Sequence, residues 1–449
     1  MAQPVKYRIR EGVAIVTLAS PPSNAISGGT RAALWEVFAR IEDNQEAQAA
    51  ILIAEGGLFS GGADIRELAT REAAPTLGEV CRRIETARLP VVAGLHGAAF
   101  GAGADLALAC HHRLAASEAV LALPEVTLGM VPSGGATQRL PRLVGAKLAL
   151  DLLLSGRRLT AEAARQAGIL DGIVSGHLHT GTWNFAKSLI ARDAKPDPVS
   201  DRETILAEGS AFLQAIAERR VAIDGGRLFA AKRIVDCVEA ALLLPFDAGC
   251  ALEADAADRC RTHPQSTALR HAFIAESRIA PRLMTLEAGK RVPTEPDGTA
   301  VVVRLRAAMK AAIAHLLNRD ISPELIDKSL IDFGFLRTPH GGVDGGAGAD
   351  GTAIAHRIVA ALMAEGARIL GEGLVERAGD IDALAIHGMG FPRLQGGPMK
   401  AAEIIGLLAL RKRMEAWSRE DPIWMPPALL AEALKTSAGF DAIRPARDG

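Results

Sequence analysis

HGAAFGAGADLALACHHRLAASEAVLALPEVTLGMVPSGGATQRLPRLVG, residues 96–145, is the stretch on which the reading of this chain turns. Val91-Val92-Ala93-Gly94-Leu95 leads into it as a buried strand. Gly97 to Ala104 reads as a turn made almost entirely of Gly and Ala, opening a helix that carries Asp105. Further on, Pro124-Glu125 opens a second turn. Small residues let a backbone approach a ligand closely and leave N–H groups free to point at it. Two carboxylates on two successive turns can flank one reacting atom. That is the pattern of an enzyme site.

Around this stretch the sequence alternates strand and helix. Val13–Leu18 reads as a strand ended by Ser20-Pro21-Pro22-Ser23. From Thr30, the apolar residues Leu34, Val37, Phe38 and Ile41 keep helical spacing. Ala50–Ala54 is a further core strand. This alternation predicts an α/β fold with mostly parallel pairing. Past Gly156 the pattern turns helical: Thr160 suits an N-cap, and Gly168–Val174 reads as a short closing strand. Residues 186–290 are helical and charged, and Gly289–Gly298, with Pro293 and Pro296, reads as a turn-rich junction. From Ala300 the chain is again helical and weakly repeated. Leu325-Ile326-Asp327 precedes Phe333-Gly334-Phe335, and Asp380-Ile381-Asp382 precedes Gly390-Phe391-Pro392. Two such helical copies bury faces that neither buries alone.

The segment 96–145 resembles the crotonase family, the acyl-CoA hydratases and isomerases. Gly57-Leu58-Phe59-Ser60-Gly61-Gly62-Ala63-Asp64-Ile65-Arg66-Glu67-Leu68 is similar to that family's F-x-x-G-x-D-[IL] loop, and Asn24-Ala25-Ile26 to its N-A-[LIF] segment. The resemblance implies a spiral of ββα turns over residues 1–185 with the active site between successive turns. It implies that Glu125 exchanges a proton at the α-carbon of an enoyl thioester and that Asp105 activates water at the β-carbon. The backbone N–H groups of Ala63 and Ala102 would form the oxyanion hole, while Ala25, Gly61, Asp64 and Ile65 would line the CoA site. Typical hydratases carry Glu where this chain has Asp105, which is shorter by ~1.5 Å, one C–C bond. Some isomerases of the family do carry Asp there. The expected activity is enoyl-CoA hydratase, a lyase of fatty-acid β-oxidation. The alternatives are an enoyl-CoA isomerase or a non-catalytic acyl-CoA-binding remnant.

Leu269–Arg278, within an extension spanning 186–295, is similar to the linker helix of multifunctional β-oxidation enzymes. Residues 296–449 resemble the helical C-terminal domain of 3-hydroxyacyl-CoA dehydrogenases. Such an enzyme would carry a nucleotide-binding Rossmann module between them. A dinucleotide site needs a strand, a Gly-rich turn and a helix N-terminus. Gly346–Gly351 fits the glycine string but follows the loop-forming Thr338-Pro339-His340-Gly341-Gly342. NAD and dehydrogenase activity are therefore not expected, and the acyl-CoA is substrate rather than cofactor. No metal site is expected, because no His/Cys cluster has ligand spacing. His111 and His112 read as a helix-end cap, and His340 and His387 as structural. Ser133 stands where one dienoyl isomerase subgroup has a third acid.

Composition bounds the rest. The 449 residues suggest two or three domains. A net charge of −1 supplies no field for nucleic acid or an anionic membrane. The five cysteines form no C-x-x-C pair. Met1-Ala2-Gln3-Pro4 opens no signal-peptide pattern, Pro445–Gly449 is not a peroxisomal tripeptide, and apolar runs stay short of membrane-spanning length. A cytoplasmic enzyme is the expectation, with homo-oligomerisation left open.

Overall fold

Val5–Arg10 (β1) folds back antiparallel onto Val13–Leu18 (β2). Glu11 and Gly12 both take positive φ, which suits the tight hairpin. β2 then pairs in parallel with Ala49–Ala54 (β3), β3 with Val91–Leu95 (β4), β4 with His112–Ala116 (β6), and β6 with Gly172–Val174 (β9). A second sheet holds Ala98–Phe100 (β5), Val120–Ala122 (β7) and Leu159–Thr160 (β8). Every residue of β3 and β4 is buried, as expected for parallel strands covered on both faces. Gly28–Asp43 (α1) starts at Ser27, whose side chain accepts the Thr30 N–H, and buries Leu34, Val37, Phe38 and Ile41.

The computed structural model describes residues 3–68, 70, 72–341 and 348–443. The chain divides into two units, Met1–His263 and Pro264–Gly449. The extension at 186–295 is therefore shared between them. The helices Ser210–Asp224, Phe229–Leu243 and Phe246–Thr262 lie in the first unit; Pro264–Arg278 lies in the second.

Two sequence readings need correction. The run Gly97–Ala104 is not one turn, because β5 lies inside it and Ala102–Ala109 (α3) follows directly. Its small residues serve stacking of backbone on backbone: a Cβ at Gly97 would stand 2.3 Å from the Gly57 carbonyl oxygen. The junction at 289–298 also contains a strand. Met284–Glu287 (β10) and Lys290–Pro293 (β11) form a hairpin whose turn residues, Ala288 and Gly289, have positive φ.

In the second unit the regular elements beyond this hairpin, among the described residues, are all helices. The two copies of the repeat meet through their aromatic residues, with the Phe391 ring 5.8 Å from Phe333 and 5.4 Å from Phe335. Each copy also buries its aspartate against a histidine: Asp327 with His340 and Asp382 with His271. The helix Pro264–Arg278 packs along Ala378–Met389, where Glu276 accepts from His387 and Arg393. The first two residues of the Gly346–Gly351 string lie outside the described residues, as do Pro445–Gly449. The remainder of the string opens the helix Gly348–Gly371. No helix among the described residues is long and apolar enough to cross a membrane.

Candidate active site

The site is built where three backbone segments lie edge to edge. The Phe100 N–H donates to the Ser60 carbonyl, and Gly101 N–H to that of Ala122, both at 2.9 Å. The parallel pairing of β5 with β7 sets Phe100 beside Ala122. The start of α3 therefore lies next to the short 3-10 helix Glu125–Leu128. Gly101 has φ +49°, and a Cβ there would stand 2.7 Å from Glu125 Oε1. Glycine is needed so that the carboxylate can rest against the backbone.

Ala102 is the first residue of α3 and Gly101 supplies no side-chain cap, so the Ala102 N–H points out of the helix as an open donor. Ala63 follows Gly62, whose backbone packs on Phe100–Ala102: a Cβ at Gly62 would stand 3.1 Å from the Phe100 oxygen and 3.9 Å from the Ala102 nitrogen. The Ile26 N–H donates to the Gly62 oxygen at 2.9 Å and draws Ala25 alongside. Gly61 N–H donates to Ser23. Asp64 is buried, and its carboxylate accepts from the backbone and guanidinium of Arg66. The Arg66 hydrogen bond holds its pKa below the ordinary range. Ile65 follows, partly exposed.

Asp105 is 1% exposed in the first turn of α3. Its Oδ1 accepts the Ala136 N–H at 3.0 Å, from the start of the helix Ala136–Ser155 (α4). Its Oδ2 is buried and has no hydrogen-bond partner among the described residues, and the same holds for Glu125 Oε2. Buried polar atoms are ordinarily satisfied. Two orphaned carboxyl oxygens on adjoining segments are suited to hold a polar ligand. Burial is the main cause that pushes Glu125 up to about 7, with Glu253 adding to it. Burial, then Glu253, then Glu125 push Asp105 well above the usual carboxylate range.

Part of the first unit is similar to known proteins. Residues 8–193 match the family described as enoyl-CoA hydratase/isomerase. The chain is 34% identical over 268 residues to a peroxisomal bifunctional enzyme of Danio rerio, and 35% identical over 272 residues to that of Homo sapiens. Each match covers 60% of this chain and 37% of the relative, so the chain spans little more than a third of their length. The fold is also similar to a crystal structure of an enoyl-CoA hydratase from Mycobacterium avium subsp. paratuberculosis K-10. That likeness has 23% identity and a TM-score of 0.45, and covers 61% of this chain and 96% of the other. The likeness to the enoyl-CoA hydratase/isomerase family thus lies over residues 8–193, within the first unit.

From beyond the matched residues, but within the first unit, the structure adds to this site a group the sequence reading missed. Glu253, from the helix Phe246–Thr262, is 1% exposed. It accepts the Gly135 N–H at 2.6 Å, the Thr137 N–H at 2.8 Å and the Thr137 hydroxyl at 2.6 Å. It thus stands beside Asp105 on the first turn of α4. No local motif marked it, since its partners are 116 and 118 residues away.

The reading of His111 and His112 as a cap on their own helix is corrected. His111 is fully buried, accepts the Val91 N–H at Nδ1 and donates from Nε2 to the Glu85 oxygen. It joins β4 to the end of Leu77–Glu85 (α2), and burial pushes its pKa down to about 4. His112 begins β6 and faces Asp171 at 3.3 Å. His340 and His387 pair with Asp327 and Glu276 in the second unit.

Proposed function

We propose that this chain is an enoyl-CoA hydratase acting on trans-2-enoyl thioesters in fatty-acid-type β-oxidation. The observation that carries the reading is the pair of orphaned carboxyl oxygens, Asp105 Oδ2 and Glu125 Oε2, beside the open Ala102 N–H. The N–H groups of Ala63 and Ala102 would receive the thioester oxygen as it gains charge, an interaction worth ~10²–10³-fold in rate per donor. Water, held between Glu125 and Asp105, bonds through its oxygen to the β-carbon. The C=C electron pair passes to the thioester oxygen as an enolate. Glu125 takes a water proton and delivers a proton to the α-carbon as the enolate collapses. A carboxyl poised at about 7 suits both halves of that transfer near neutral pH.

Ala25, Gly61, Asp64 and Ile65 would border the CoA moiety. A small, mostly aliphatic cavity lined by Ala104, Leu108, Leu121, Leu140 and Leu159 includes the residue before Asp105 and would have to widen to take the acyl tail. The reaction needs no resident cofactor, and the reading assigns no NAD site or dehydrogenase step. It places the enzyme in the cytoplasm, and its five cysteines are unpaired thiols.

A specific observation favours isomerisation as the second reading. Asp105 is short, and its Oδ1 is committed to Ala136, whereas an isomerase needs one base to carry a proton from the α- to the γ-carbon. Product analysis on crotonyl-CoA beside a 3-enoyl-CoA tests the two. A 3-hydroxyacyl product supports the hydratase, and a 2-enoyl product from the 3-enoyl substrate supports the isomerase. Turnover of neither, with thioester binding retained, would leave the acyl-CoA-binding remnant.

A further inference from the structure

The first turn of α4 offers its N–H groups to two carboxylates, and they are divided unevenly. Gly135 and Thr137 donate to Glu253, which also receives the Thr137 hydroxyl. The Ala136 N–H, between them, donates to Asp105 Oδ1. Glu253 therefore has three donors and Asp105 one, with Asp105 Oδ2 left unpartnered. We propose that Glu253 is a positioning residue that occupies the anionic seat at the start of α4 and so keeps Asp105 as a neutral carboxylic acid, leaving Glu125 as the ionised base of the site.

A helix N-terminus carries about half a positive charge and favours one anion. Two carboxylates on adjacent N–H groups in a site closed to water share a proton. That proton belongs on the carboxyl with fewer donors. The other groups facing the pair agree. Glu125, from the 3-10 helix, adds negative charge that disfavours an Asp105 anion. Arg139, from α4, is the nearby cation, but its guanidinium is held at 3.0 and 2.8 Å by Glu85 of α2. Cys81 of α2, and Cys237 and Cys250 on the helices packed around α4, have thiols pushed up by burial. Burial raises Glu253 as well, and the Thr137 and Gly135 donors oppose it.

The neutral acid changes what Asp105 does. Its Oδ2 becomes an O–H donor, the one group it lacks as an anion. Resting on the reading above, it holds the oxygen of the water or β-hydroxyl group but takes no proton from it. Proton transfer then runs through Glu125. This also accounts for a short Asp at this position: a donor fixed by Ala136 need not reach the water as a base does.

The test is isotope-edited infrared spectroscopy of the resting protein at pH 7, with carboxyl-labelled Asp or carboxyl-labelled Glu. The expected wild-type result is a protonated-carboxyl band in the Asp-labelled protein that is lost in Asp105→Asn. Glu253→Gln removes the competing charge, so Asp105 ionises and the Asp band disappears. Thr137→Val takes one donor from Glu253 without removing its carboxylate, and serves if the glutamine variant fails to fold. The proton then moves, so the band weakens in the Asp-labelled protein and grows in the Glu-labelled one. Absence of an Asp105 band in wild type, or a band indifferent to both variants, would overturn the proposal. The readout needs no turnover, so failure of the hydratase reading would show separately, in the product assay.

Discussion

Gly101→Ala tests whether the carboxylate proposed as catalytic, Glu125, is placed by the backbone of the neighbouring turn. The added Cβ would stand 2.7 Å from Glu125 Oε1, and ordinary contact requires the carboxylate to retreat by roughly 0.7 Å. A misplacement of ~1 Å at a reacting group costs on the order of 10²-fold in rate. The expected fall in kcat is therefore between about 10- and 100-fold. KM for the thioester should change little, since Ala25, Gly61 and Ile65, proposed to border the CoA moiety, lie on other turns. Gly101 also has φ +49°, and backbone strain there should cost about 1–3 kcal/mol of stability. Steady-state kinetics on crotonyl-CoA and a 3-enoyl-CoA, alongside thermal unfolding, measure both effects. A stable Gly101→Ala protein with wild-type kcat would refute the placement of Glu125 against Gly101.

On the proposed reading Glu125 is the base, with its carboxyl raised to about 7 by burial, so the rate should rise about tenfold between pH 6 and pH 8. A flat profile over that range would mean an ordinary glutamate. In the second unit Glu276 is held at about 2: burial opposes its charge, and the hydrogen bonds from His387 and Arg393 overcome it. A depressed carboxylate stabilises the fold above its unfolded value of about 4.5 and loses that contribution as pH falls through about 2. Glu276→Gln should therefore melt earlier than wild type at pH 7, with the gap closing in acid; an equal gap at all pH values would contradict this. A fragment ending at residue 263 should be more soluble than one ending at 295. The longer piece keeps Ala275, Leu283 and Met284 of the second core without their partners, and equal solubility would count against the division at His263.

The parts of the site that were legible in the sequence are those fixed by local backbone demands. The Gly57–Leu68 loop, the small residues of 97–104 and the Pro124-Glu125 turn are short segments whose composition follows from close approach of chain to chain. Strand β5 was hidden for the same reason: Ala98-Ala99-Phe100 has the composition of a turn, and only its pairing with β7 makes it a strand. The hairpin β10–β11 was obscured by its turn glycine and by Pro293 at its end. Glu253 could not be read locally. It stands in an ordinary charged helix, and its role comes from distant N–H groups that α4 brings to it. The repeat in the second unit was visible as spacing, but its physical basis, a shared aromatic contact and in each copy a buried aspartate bonded to a histidine, needed the fold.

The measurement closest to the central claim is product formation by wild type and Glu125→Gln on crotonyl-CoA and a 3-enoyl-CoA, with thioester affinity measured on the same samples. The amide keeps the shape of the side chain and removes its charge, so binding should persist while turnover falls by ~10²–10⁴-fold, the range of a general acid–base group. Near-wild-type turnover by Glu125→Gln would contradict the assignment of proton transfer to this carboxylate.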